Sequence, residues 1–183
     1  MKIQSLVVIG NIQLDYKLPF FPDLKVNLNT GYDLAESSWS YFAPADYFPA
    51  NISNGSDSTG DPASKTENIF LEATLNYAKD IKNIKSRVEA LAGYSYNDFK
   101  TTNYFYPSFD VDGVLQPGSE PNFAFDIPQN TLISYFGRLI YTFNDTYIVT
   151  GTVRTDGSSR FSENNRWGVF PSVSGARIIS DEN

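Results

Sequence analysis

The sequence predicts an all-β fold of antiparallel up-and-down strands, about seven of them, belonging to a transmembrane β-barrel. Three observations predict it. Apolar residues recur every second position through most of the chain, which is the strand period. The connections alternate short, long, short, long, short, long, the asymmetry of barrels with tight turns on one side and long loops on the other. Charged residues keep to one face of the second, third and fourth strands, as a lipid-facing band requires. A soluble β-sandwich shares the first observation and stays open on pattern alone.

The first strand, about 6–18, sets Val8, Ile12, Leu14, Tyr16 and Leu18 against Asn11, Gln13, Asp15 and Lys17. Pro19 and Pro22 break it, because proline donates nothing to a ladder. The second, 23–35, is the cleanest: Leu24, Val26, Leu28, Thr30, Tyr32 and Leu34 face away from Lys25, Asn27, Asn29, Gly31 and Asp33. A loop at 36–65 follows, dense in Ser, Asn, Gly and Asp between Asn51 and Pro62. Strands at 66–78 and 86–98 follow, the first with Ile69, Leu71, Ala73, Leu75 and Tyr77 on one face. The second carries Val88, Ala90, Ala92, Tyr94 and Tyr96 on one face. A second long loop spans 107–130, with four prolines and two glycines. The last strands are 131–143, 146–156 and 168–179. A tight turn at Asn144-Asp145 separates the first two, and a polar loop at 157–167 separates the last two.

Composition narrows the function. With 14 Lys plus Arg against 21 Asp plus Glu, the net charge is −7, and no basic stripe exists for a phosphate backbone. Nucleic acid is therefore not an expected partner. The absence of Cys and His removes thiolate, imidazole and zinc-thiolate chemistry. No spacing singles out paired carboxylates or a Ser-Lys pair, so no catalytic residue is assigned and no enzyme is expected. No apolar run reaches the ~18 residues of a membrane helix. The run Leu6–Ile9 is too short for a signal-peptide core. Twelve Tyr and fourteen Phe suit a bilayer interface and a sugar-binding surface equally well.

The C-terminal third carries distinctive words: SYFGR from Ser134, DGSSRF from Asp156, NNRWG from Asn164 and FPSVS from Phe170. In this order and spacing, the stretch from Ser134 to Ile178 resembles TonB-dependent outer-membrane receptors of the SusC/RagA type. The resemblance rests on Gly137, Arg138, Asp156, Gly157, Ser158, Ser159, Arg160 and Phe161. Asn165, Arg166, Trp167, Gly168, Pro171 and Ser172 complete it. It implies a fragment of a TonB-linked nutrient transporter for oligosaccharides or peptides, in the outer membrane of a Gram-negative cell. Its partners would be the rest of the barrel and a plug, a SusD-like surface lipoprotein, a TonB-type energy coupler and outer-membrane lipid. No cofactor is implied. Such a plugged barrel takes on the order of 22 strands, and neither plug nor coupling segment is recognisable. The expectation is an unclosed piece of wall, not competent alone, which associates in water.

Trp39, Tyr41, Phe42, Tyr47 and Phe48 form one aromatic group, and Tyr94, Tyr96, Phe99, Tyr104, Phe105 and Tyr106 another. Trp39, Tyr41, Tyr104, Tyr106, Arg160 and Trp167 are the candidate substrate or loop contacts. Interfacial belt or loop packing is the plainer reading of the aromatics. Asp156 with Arg154, Arg160 and Arg166 is a charged cluster. It is expected to hold its loop against the lumen rather than to do chemistry. Asp110-Val111-Asp112-Gly113 has the start of a calcium loop but lacks its closing Glu, and an Asp-rich turn explains it better. The Asp57–Asp61 cluster points to a metal still less, and no metal site is assigned.

Overall fold

The computed structural model describes residues 1–46 and 55–179. Its strands in chain order are β1 (Lys2–Lys17), β2 (Leu24–Ala43), β3 (Ser56–Ile81), β4 (Ser86–Tyr104) and β5 (Phe125–Asp126). They continue with β6 (Gln129–Phe143), β7 (Tyr147–Ser158) and β8 (Trp167–Arg177). Single 3-10 turns occupy Lys82–Ile84 and Glu163–Asn165. All eight strands join one antiparallel sheet in the order β1-β2-β3-β4-β6-β7-β8, with β5 paired off β4. Successive neighbours in the chain are neighbours in the sheet, so this is a meander. No helix among the described residues is long and apolar enough to cross a membrane, which says nothing about crossing by strands.

The strands outrun their alternating segments. The pattern ends the second strand near 35 and starts the third near 66. The structure carries β2 to Ala43 and begins β3 at Ser56, so most of the stretch read as a loop at 36–65 is extended sheet. β4 likewise runs to Tyr104 rather than to 98. The reason is physical. Backbone pairing needs no apolar face, and where both faces of a strand are polar no alternation exists to be read. The fifth strand, only two residues long, pairs Asn103 with Asp126 and Tyr104 with Phe125 inside the stretch read as a loop at 107–130. Two residues carry no period. Tyr47 and Phe48 lie outside the described residues.

The chain divides into two compact units. One comprises 1–10, 32–68 and 99–129; the other comprises 11–31, 69–98 and the chain from Asn130 onward. In the first unit, β3 is tied to its neighbours by side chains. The Thr59 hydroxyl donates to the Trp39 carbonyl at 3.1 Å. The Tyr32 hydroxyl donates to Glu67 at 2.9 Å, and Lys65 pairs with Glu67 at 3.2 Å.

In the second unit, Asn144 and Asp145 both take positive φ, 53° and 52°. Asn and Asp are among the few non-glycine residues that tolerate this region. The Thr146 amide closes the turn on the Phe143 carbonyl at 3.1 Å. Pairing then sets Phe143 opposite Tyr147, Leu139 opposite Gly151 and Tyr135 opposite Thr155. Across the next seam Val153 faces Pro171 and Gly151 faces Val173. This register puts Tyr135, Leu139, Tyr141, Phe143, Tyr147, Val149, Val153, Val169 and Val173 on one face. Ser134, Phe136, Arg138, Thr150, Thr152, Arg154, Asp156, Ser172 and Ser174 occupy the other.

Burial is inverted relative to a water-soluble sheet. Ala43 is the one buried hydrophobic among the described residues, whereas Ser56, Ser58, Ser86, Ser95, Thr102 and Ser134 are buried. Leu139 is 53% exposed, Val149 52% and Val173 82%. Covering five such aliphatic side chains (those three with Val153 and Val169) is worth roughly 5–10 kcal/mol. That rivals the whole stability of an ordinary domain, about 5–15 kcal/mol. Such a face demands a cover.

Candidate functional site

The DGSSRF word closes the β7–β8 hairpin, and it does so through hydrogen bonds rather than through free chemistry. The Ser158 amide donates to the Arg166 carbonyl at 3.1 Å, and the Ser159 amide to the Thr131 carbonyl at 2.9 Å. The Thr131 amide returns to the Ser159 hydroxyl at 2.8 Å. Ser158 and Ser159 hydroxyls both donate to Asn130 Oδ1, at 3.3 and 3.4 Å. The Phe161 amide donates to the Ser158 carbonyl, and Arg166 Nε to the Phe161 carbonyl at 3.2 Å. Asn165 closes the 3-10 turn on the Ser162 carbonyl at 2.9 Å. The word is a clasp between the loop and the start of β6.

Beneath it, the polar face holds a charged group. Arg154 Nε donates to both Asp156 oxygens at 2.7 and 3.0 Å, and Arg154 Nη2 donates to the fully buried Ser134 hydroxyl at 3.1 Å. The guanidinium carbon lies 5.7 Å from the Phe136 ring centre. Of the cluster read from sequence, the structure brings together Arg154 and Asp156 only. Arg160 and Arg166 belong to the loop, and the Arg160 side chain makes no hydrogen bond or ion pair among the described residues. Arg138 stands on the polar face beside Glu89, Asn76 and Leu91, lining a small pocket. Ser172 shares that face opposite Thr152, and Gly168 lies against the Phe170 ring.

The opposite face carries an aromatic row that sequence reading does not assemble. Tyr94 on β4 lies 5.3 Å from Tyr135 on β6, and Tyr135 stacks on Trp167 of β8 at 6.0 Å and 29°. Between them β7 offers Gly157, paired with Trp167. A Cβ at Gly157 would sit 2.9 Å from three atoms of the indole, so only glycine lets the ring lie flat there. Trp167 is thus on the apolar face with Tyr135 and Val169, away from Asp156 and Arg154. Gly137 and Pro171 share this face. The signals that find the row are strand parity and the lone glycine opposite a tryptophan.

In the first unit, Trp39 and Tyr106 both close on Gly60. A Cβ there would stand 2.6 Å from Trp39 Nε1 and 3.2 Å from the Tyr106 ring. The Tyr106 hydroxyl donates to the Pro62 carbonyl at 2.7 Å. Burial, then the nearby Asp61 carboxylate, push this phenol above its ordinary value. Tyr104 meets Phe125 edge-on at 6.3 Å, and Phe105 meets Phe123 at 5.3 Å. Tyr41 is half-buried on β2, and no aromatic contact joins it to Trp39.

Asp110 organises the loop after β4. Its carboxylate accepts the amides of Asp112 at 3.0 Å and Val114 at 2.8 Å, with Gly113 at φ 79°. This is an Asx turn made through Oδ1. A cavity of about 380 Å³ lies beside it, lined by Asp57, Thr59, Tyr106, Pro107, Phe109 and Asp110.

No family model matches the chain. The TonB-dependent receptor SusC of Bacteroides thetaiotaomicron is 31% identical over 185 residues, covering 100% of this chain and 18% of that receptor. The TonB-dependent receptor P39 of Formosa agariphila is 27% identical over 169 residues, 88% of this chain and 16% of that protein. The solved RagAB peptide transporter matches with a TM-score of 0.73 at 19% identity, over 94% of this chain and 20% of that one. The RagAB peptide importer in its closed-closed state gives 0.72 at 20% identity, covering 95% and 20%. These structures speak to the fold: the sheet matches part of the RagA barrel. The chain spans about a fifth of the length of the relatives it matches. Aligned over its whole length with SusC, it is homologous to one segment of the TonB-dependent receptors of the SusC/RagA type.

Proposed function

We propose that this chain serves as barrel wall and loops of a TonB-linked outer-membrane importer for oligosaccharides or peptides. The observation that carries the reading is the bare apolar face of β6, β7 and β8, backed by a mostly polar face that holds Ser134, Arg138, Thr152, Arg154 and Asp156. The bilayer is the cover that the apolar face demands. Tyr135 and Phe143 lie eight positions apart, about 26 Å along a strand and about 20 Å across a membrane at the usual tilt. That is close to the ~25 Å apolar band of outer-membrane barrels, with aromatic residues at both of its edges. A soluble glycan-binding sandwich would seal this face inside an internal core. Here it is open.

On this reading Tyr94, Tyr135 and Trp167 belong to the aromatic girdle, and Trp167 does not touch substrate. Trp39 and Tyr106 brace the extended ends of β2, β3 and β4, with Tyr41 and Tyr104 packing near the loop roots. Arg160, with its guanidinium free at the 157–167 loop, is the residue proposed to meet substrate or lid. The intact protein would work with a plug, a SusD-like surface lipoprotein and a TonB-type coupler. The RagAB match supports a lid partner, and the SusC homology supports energy coupling.

The test is made in cells that carry the native gene. An antibody against the 107–124 loop should mark a band far larger than 20.5 kDa in the outer-membrane fraction and should label intact cells. A band near 20.5 kDa in a soluble fraction would overturn the proposal in favour of a self-sufficient β-domain.

A further inference from the structure

We infer that the groove between the DGSSRF clasp and the aromatic row is a binding site for the net-anionic, phosphate-bearing headgroup of an acidic membrane lipid. The inference rests on the membrane reading of the β6–β8 outer face. The groove has a volume of about 250 Å³ and is lined by Thr131, Ile133, Ser158, Ser159, Arg166 and Trp167. Its lower wall is the Trp167 ring, which caps the apolar band at the level where headgroups begin. Its lining is mostly apolar, and Thr131, Ser158, Ser159 and Arg166 bring polar groups to the side nearer the loop.

The hydroxyls along it are already committed. Thr131 donates to Asp98 at 2.7 Å, and Ser158 and Ser159 donate to Asn130. Arg166 is different. One of its five N–H groups reaches the Phe161 carbonyl, which fixes the side chain, and it has no carboxylate partner among the described residues. A guanidinium held at one corner with its outer donors free matches a phosphate oxygen pair. Residues 157–167 hold Arg160 and Arg166 against Glu163 in a chain whose net charge is −7, and the Asp98 carboxylate beside the groove is held by the Thr131 hydroxyl. An acyl chain leaving such a headgroup would continue down Val169 and Val153, which are exposed on the same face.

The experiment uses the intact receptor in lipid nanodiscs. The signal is the tryptophan fluorescence present in the parent and lost in Trp167→Phe. Quenching is recorded with brominated phosphatidylglycerol and with brominated phosphatidylcholine. The anionic lipid should reach half-quenching at about one-fifth of the mole fraction the zwitterionic lipid needs, the factor expected for one basic side chain near the surface. Arg166→Gln should bring the two lipids level, and Arg166→Lys should keep most of the preference. Equal quenching of the parent by both lipids would overturn the headgroup site while leaving the membrane reading intact. Quenching by neither would overturn the membrane reading of this face and the site with it. The parent comparison decides the matter even if Arg166→Gln fails to assemble.

Discussion

At the residue scale, the strongest constraint is the contact between Gly157 and Trp167. The indole lies on the glycine and stacks on Tyr135, so a methyl group at 157 must push the ring off both contacts toward its open side. Gly157→Ala should destabilise the assembled receptor by about 1 kcal/mol, the low end of the range for overpacking. It should also shift the Trp167 emission, read by denaturant unfolding in detergent with fluorescence detection. Pairing it with Trp167→Val should recover much of the loss, whereas independent effects would add. Tyr106 supplies a second test. Its phenol pKa is raised, so the folded state holds the proton more tightly than the unfolded chain. Its contribution is therefore complete below the ordinary phenol value and is lost as pH rises through the raised one. The stability difference between the parent and Tyr106→Phe should favour the parent near neutrality and close in alkali. A difference that stays constant with pH would show that the hydroxyl contributes nothing through its proton.

At the scale of the strand, face decides the effect of a charge. Leu139 and Arg138 are chain neighbours on opposite faces of β6. Leu139→Arg should cost about 2–4 kcal/mol, the range for a cation on the lipid side near the bilayer midplane. Thr152→Arg, on the polar face, should assemble nearly as well as the parent. The amount of heat-modifiable receptor in outer-membrane preparations measures both. The same two-sidedness explains what could be read from sequence. Residues 131–143 and 146–156 have sharp contrast between their faces, and β6 and β7 lie close to those bounds. Ser37, Ser38, Ser56 and Ser58 lie in strands with polar residues on both faces, so β2 and β3 read as loop where they are extended. The Arg154–Asp156 pair was legible as two opposite charges at a spacing of two. Ser134 beneath them was not, because its role depends on a neighbour twenty residues away across a seam. Trp167 illustrates the same limit. As a loop residue after Arg166 it suggests a contact, and only the register shows it standing in a row with Tyr135.

For the whole molecule, we propose that the outer face of β6, β7 and β8 lies against lipid and the other face against water. The register, the inverted burial and the homology to a receptor segment support it together. The chain isolated in buffer should associate, because the apolar face has no partner within it. Sedimentation should show large species that disperse in detergent. The direct measurement is a cysteine scan from Tyr135 to Phe143 in the intact receptor in native membranes, using a water-soluble thiol reagent. Cysteines at 136, 138, 140 and 142 should be labelled, and those at 135, 137, 139, 141 and 143 protected, giving a period of two. Uniform labelling, or protection of all nine positions, would contradict the claim.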